Sequence, residues 1–127
     1  MKLYHKAGVV VRRSGDDGDE ILLVSARRHA GSWVFPAGTV EEGEAAAQAA
    51  ARECEEESGY TVRTGEEIGA VTVTGEGWTK EFVFFSAAVT GEVERKESDR
   101  ERKWVRVSRL EDEVADVFAP ISKLVKK

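Results

Sequence analysis

Glu53, Glu56 and Glu57 fall at i, i+3 and i+4 of a stretch that reads as helix. At about 100° per residue they share one arc of its surface. Like charges so placed repel by a few tenths of a kcal/mol per exposed pair, roughly. They also sit near the helix C-terminus, where negative charge opposes the helix dipole. Helix stability therefore gives no reason for the trio, and two readings stand side by side. One is a solvated acidic face. The other is a cluster of hard oxygen ligands suited to magnesium or manganese. A divalent ion held there would neutralise an anionic substrate and acidify a bound water, and a carboxylate within hydrogen-bond reach of that water would serve as base.

The elements that must position these side chains follow from the patterning. Residues 4–13 and 21–26 read as strands buried on both faces and paired antiparallel, with a turn over 14–20. Residues 27–44 form a loop-rich stretch, because Gly31, Pro36, Gly38 and Gly43 exclude a long helix. Residues 44–58 are the clearest helix, rich in alanine, glutamate and arginine and stopped by Gly59. Its apolar stripe is expected to be Ala47, Ala50, Ala51 and Cys54, small enough for close approach to a sheet. Strands are expected over 71–74, 81–89 and 103–107. The C-terminal stretch reads as helix on both sides of Pro120, with a capping box from Ser108 to Glu111. A mixed sheet flanked by helices is the economical way to bury this order of elements.

The segment 38–60, GTVEEGEAAAQAAARECEEESGY, resembles the signature of the Nudix hydrolases. Gly38, Glu44, Arg52, Glu53, Glu56, Glu57 and Gly59 stand in register with it, and Cys54 and Tyr60 occupy its apolar positions. The resemblance implies an α+β Nudix fold, an α/β/α sandwich with a mixed sheet, in one domain over 1–127. It also implies hydrolysis of a diphosphate linkage in a nucleoside diphosphate derivative. Glu53, Glu56 and Glu57 would bind magnesium, with manganese as a substitute and the Ala37 carbonyl as an added ligand. Glu56 would act as base beside Glu53, Arg52 would orient the carboxylates, and Gly38 and Glu44 would shape the loop. Proteins of this family often dimerise, so a homodimer is an assembly open to the chain. A non-catalytic Nudix module that binds a nucleotide or RNA is the alternative from another class. Such modules usually lack one or more signature carboxylates, whereas this chain keeps them all.

Outside the signature, residues 20–28, 32–44 and 100–107 resemble the diphosphoinositol-polyphosphate and diadenosine-polyphosphate branch, which favours dinucleoside or inositol polyphosphates over nucleoside triphosphates. A triphosphate pyrophosphatase remains the enzymatic alternative. Strand alternation puts Arg100, Arg102, Trp104 and Arg106 on one face and Val105 and Val107 on the other. That basic face is either solvated or, with Arg27, Arg28 and Lys80, a clamp for phosphate oxygens; Lys6 is a weaker addition. Trp78 is placed either to stack on a nucleobase or to plug a loop onto the sheet. His5 and His29 lack a partner pattern for metal or catalysis.

Composition bounds these readings. The chain has 127 residues, the size of one domain, and a net charge of -5. That balance argues against a general nucleic-acid or membrane-surface binder. The single cysteine precludes an intramolecular disulfide, and no apolar run nears the ~20 residues of a membrane span. The opening MKLYHKAGVV lacks a secretory pattern, so the expected compartment is the cytoplasm and the expected partner a small phosphorylated molecule.

Overall fold

The apolar runs at residues 7–11 and 21–24 are buried on both faces, and strict alternation sorts their side chains between two cores. Val10, Ile21 and Leu23 face one core, and Val9, Val11 and Leu22 face the other. The structure, a computed structural model, describes residues 1–125. Its strands are β1 (Lys2–Gly15), β2 (Gly18–Ser25), β3 (Trp33–Val34), β4 (Ala37–Thr39), β5 (Tyr60–Gly75), β6 (Trp78–Glu92) and β7 (Arg102–Arg106). They form one mixed sheet in the order β3-β2-β1-β6-β5, with β4 beside β1 and β7 beside β2.

Strand β1 is the seam. Residues 2–11 run parallel to residues 78–87 of β6, residues 6–8 take β4 antiparallel, and residues 12–15 pair antiparallel with β2. Helix α1 (Ala46–Ser58) covers one face through Ala49, Ala50 and Cys54. The C-terminal segment covers the other through Leu110, Val114, Phe118 and Ile121, which meet Phe35 and Phe84. The expected mixed sheet covered on both faces is thus what the chain adopts. Among the described residues no helix is long and apolar enough to cross a membrane.

Several expected boundaries move, each for a physical reason. The turn over 14–20 contracts to residues 16–17, because Arg13 faces Glu20 across the ladder and Arg12 reaches Asp19, both at 2.8 Å. Strand β5 is far longer than 71–74. It has one neighbour and two register shifts between Thr64 and Gly69, so a bulged edge accommodates glycines and charges that read as loop. The buried side of α1 contains Ala49, while Ala47 and Ala51 are only half-buried. An alanine-rich helix marks its own apolar face weakly, and this rotation carries Glu57 inward with Ala50 and Cys54.

The C-terminal helix does not form as one piece. Short turns at Val107–Arg109 and Asp116–Phe118 alternate with α2 (Leu110–Glu113) and α3 (Ala119–Ser122). Val114 leaves helical geometry to bridge Trp33, and the Ala115 N–H donates to the Trp33 carbonyl. The capping box is also absent: α2 starts after Arg109, with no side-chain cap. Phe84 is the hub of this face, with its ring 5.6 to 6.0 Å from those of Phe35, Phe82 and Phe118. Phe84→Ala is expected to cost about 3–5 kcal/mol of unfolding free energy, measured by denaturant titration.

Candidate functional site

Everything at the site is referred to α1. At its start, the Ala45 N–H donates to Gln48 Oε1 at 3.0 Å. At its end, Gly59 adopts a left-handed conformation (φ 82°) and returns its N–H to the Glu55 carbonyl. Three further carbonyls at this end are taken by the segment between β6 and β7 and by the first residue of β7. The Glu97 N–H donates to Glu56 O at 2.9 Å, the Val93 N–H donates to Gly59 O, and Arg102 donates to Ser58 O. This segment therefore docks on the negative end of the helix dipole and delivers the Glu97 side chain to the signature carboxylates.

Arg52 organises the other side. Its Nε and Nη2 donate to the two oxygens of Glu44 at 2.9 and 3.1 Å, and Nη2 also reaches the Thr39 carbonyl at 2.9 Å. Nη1 donates to Glu53 Oε2 at 3.0 Å and to Glu56 Oε2 at 3.3 Å. The guanidinium holds the Glu44 carboxyl below its usual range, chiefly by hydrogen bonding. Its own pKa rises on the same bonds. Arg52, expected to orient the carboxylates, thus touches Glu44, Glu53 and Glu56 at once. Gly38 has an equally direct reason: a Cβ there would lie 2.1 Å from Glu53 Cδ.

The carboxylates that meet are not the three that helical spacing singled out. Glu53, Glu57 and Glu97 bring oxygens within 4.8 Å of one another, a group that could hold a divalent cation. Glu56 lies beside them, turned to Arg52. Glu57 is 2% exposed. Burial, opposed by Arg100 and reinforced by Glu53, raises its pKa from the ordinary 4.5 to about 9. Its partners are weak: the Ala37 N–H at 3.4 Å and Arg100 Nη1 at 3.7 Å. A desolvated carboxyl beside a second and third carboxylate is a site short of positive charge, and three hard oxygen donors suit magnesium or manganese. Glu97 is the residue that sequence reasoning missed. Its only signal is an acidic side chain in a polar stretch far from the signature, which spacing does not mark.

A cavity of about 330 Å³ opens beside Glu57, Ala37 and Gly38. Its cations are Lys6, Arg27, Arg28, Lys80 and Arg100, and Val34, Phe35, Phe82 and Phe118 give it an apolar side. Burial and the neighbouring Lys80 lower the pKa of Lys6, whose Nζ donates to Thr39 Oγ1 at 2.6 Å. Four expected phosphate contacts, Arg27, Arg28, Lys80 and Arg100, thus share one space, and Lys6 joins them. Arg102 does not line it. Its guanidinium caps α1, meets Glu92 at 2.8 Å and lies 4.3 Å from the Tyr60 ring centroid. Trp104 is likewise committed, donating to the Tyr60 hydroxyl at 3.2 Å. Trp78 pairs with Gly75 in the β5–β6 hairpin and lies under Lys80, 5.0 Å from ring centroid to Nζ, one contact removed from the cavity lining. Cys54 is buried against Ser58, and desolvation pushes its thiol up to about 12, so it carries no chemistry.

The family model of the NUDIX domain matches residues 3–125. A Caenorhabditis elegans protein named putative nudix hydrolase 1 is 33% identical over 111 residues, covering 84% of this chain and 30% of its own length. Diphosphoinositol polyphosphate phosphohydrolase 2 of Rattus norvegicus is 45% identical over 51 residues, or 40% of this chain and 28% of that protein. The chain spans under a third of the length of these curated relatives. Among solved structures, a C. elegans Ap4A hydrolase in a binary complex superposes with a TM-score of 0.80 at 22% identity, covering 95% of this chain and 93% of that one.

The raised pKa of Glu57 has a signed consequence. Between its ordinary 4.5 and about 9 the folded chain holds a proton that the unfolded chain has released. Without metal, stability should therefore fall as pH rises through this window, by at most about 1.4 kcal/mol per pH unit from this group. Glu57→Gln should flatten that slope in denaturant titrations of metal-stripped protein. An unchanged slope would show that another group carries it.

Proposed function

The chain belongs to the NUDIX family, and on that footing we propose that it is a magnesium-dependent hydrolase of a diphosphate linkage in a nucleoside diphosphate derivative. The observation that carries this reading is the juxtaposition of the Glu53–Glu57–Glu97 group with a cation-lined cavity. Glu53, Glu57 and Glu97 would hold the metal, which when bound supplies charge neutralisation and an acidified water. Glu56, fixed by Arg52 and outside the ligand group, takes the proton as water forms its new bond to phosphorus. The bridging P–O bond breaks and the leaving phosphate departs as an anion. Lys6, Arg27, Arg28 and Lys80 bind the non-bridging oxygens and hold the chain of phosphates in line.

The same cavity bears on the substrate. Five cationic side chains suit more than one phosphate group, which favours a polyphosphate. The apolar side formed by Val34, Phe82 and Phe118 suits the face of a nucleobase better than a fully oxygenated inositol ring. Dinucleoside polyphosphates are accordingly the first choice and inositol polyphosphates the second. The resemblance to the rat diphosphoinositol polyphosphate phosphohydrolase 2 supports keeping the latter in view.

A panel of diadenosine polyphosphates, inositol pyrophosphates and nucleoside triphosphates, assayed with and without magnesium, tests the reading. Phosphate-ester products should appear only with the metal and fastest from the diadenosine compounds; inertness on every compound would sink it. Glu56→Gln should lower kcat by about 10²–10⁴-fold with the fold intact by circular dichroism. Wild-type turnover in that variant would remove Glu56 from the chemistry. Gly38→Ala should weaken magnesium binding about tenfold or more, read by calorimetry, because the new methyl displaces Glu53. Its thermal stability should change little, since the displaced group is the mobile end of a side chain.

A further inference from the structure

We propose that Glu97 holds Arg27 in reserve, and that a divalent cation at the Glu53–Glu57–Glu97 group releases Arg27 to bind the phosphate of the substrate. The inference rests on the metal-dependent reading above and specifies an order of events within it. Arg27 lies between β2 and β3, and Glu97 lies between β6 and β7. The Arg27 Nη2 donates to Glu97 Oε1, and among the described residues no other hydrogen bond or ion pair holds Arg27. The same oxygen lies 3.2 Å from Arg100 Nε, which is buried and makes no hydrogen bond. One carboxylate is thus claimed by two guanidinium groups and by the cation group at once.

These claims are unequal. The Arg100 side chain is 11% exposed and tethered by its Nη1 to the Ser25 carbonyl at 2.8 Å, so it stays when Glu97 is drawn away. Arg27 is 61% exposed and has only this one tie. A cation with two charges, in contact with Glu97 oxygens, cancels most of the attraction that holds Arg27. Arg27 already lines the cavity, and a phosphate oxygen is the next anion within its reach. Guanidinium binds such oxygens through paired, charge-assisted hydrogen bonds. In the metal-free chain the arm is spent on Glu97, so the cavity holds polyphosphates poorly until the cation is in place.

The probes are magnesium alone and methylenebisphosphonate, whose P–C–P bridge resists hydrolysis, titrated calorimetrically into the full chain. In the presence of magnesium, Arg27→Gln should weaken bisphosphonate binding about tenfold. In metal-stripped protein the same substitution should change it less than about twofold. Glu97→Gln, metal-stripped, should strengthen binding about tenfold, and the gain should vanish in the Arg27→Gln/Glu97→Gln double variant. Equal losses from Arg27→Gln with and without magnesium, or a gain that survives in the double variant, would overturn the release while leaving the metal reading intact. Failure of the wild-type chain to bind magnesium would overturn both. Arg27 is exposed, so its variants should melt as the wild type does, which a thermal scan verifies.

Discussion

The side chain of Arg52 is the point on which the arrangement turns. Its guanidinium spends its donors on Glu44, Glu53, Glu56 and the Thr39 carbonyl. Without a cation among them these carboxylates would repel one another across the loop and the helix. With it, the loop between β4 and α1 is stitched to the second and third turns of the helix, and Glu53 is laid across Gly38. A lysine could supply the charge but not the planar fork that meets Glu44 with two bonds and still reaches three further acceptors. The glycine, the loop glutamate and the arginine are thus parts of one constraint.

From Arg52 acidic and basic side chains alternate through the site: Glu53 and Glu57, then Arg100, then Glu97, then Arg27. Each side chain lies beside one of opposite type, and Glu57, the most buried, has Arg100 only at 3.7 Å. The chain as a whole is acidic, yet the cavity beside these residues is rich in lysine and arginine. Overall charge and local field are separate properties. The acidic excess lies largely on exposed strands and turns, while the cations gather where β1, β6, the loop after β2 and the segment before β7 present them to one space.

Residues 38–60 were legible in the sequence because each of their roles is local. A stop at Gly59, a close approach at Gly38 and an arginine four residues before Glu56 all leave marks at fixed spacing. The paired apolar runs of β1 and β2 were legible for the same reason, since burial on both faces leaves no polar alternation. Glu97 was not legible, because its position comes from docking a distant segment on the end of α1. Arg102 looked like a phosphate contact from strand alternation, but alternation fixes a face and not a partner, and the partner is a helix carbonyl. The rotation of α1 and the broken C-terminal helix were hidden likewise. Alanines on several sides do not name an apolar face, and only the bridge to Trp33 shows why helical geometry ends at Val114.

The parallel pairing of β1 with β6 sets a timetable. Residues 2–11 find their parallel partner only when residues 78–87 exist, so a loop of more than half of the 127 residues must close before the sheet has a centre. Closure of that kind is slow compared with forming α1 or the β5–β6 hairpin, which are local. Until it happens, α1 has no sheet to lie on, and its row of glutamates is an ordinary acidic surface. The grouping of Glu97 with the helix carboxylates therefore depends on the same long-range closure as the core.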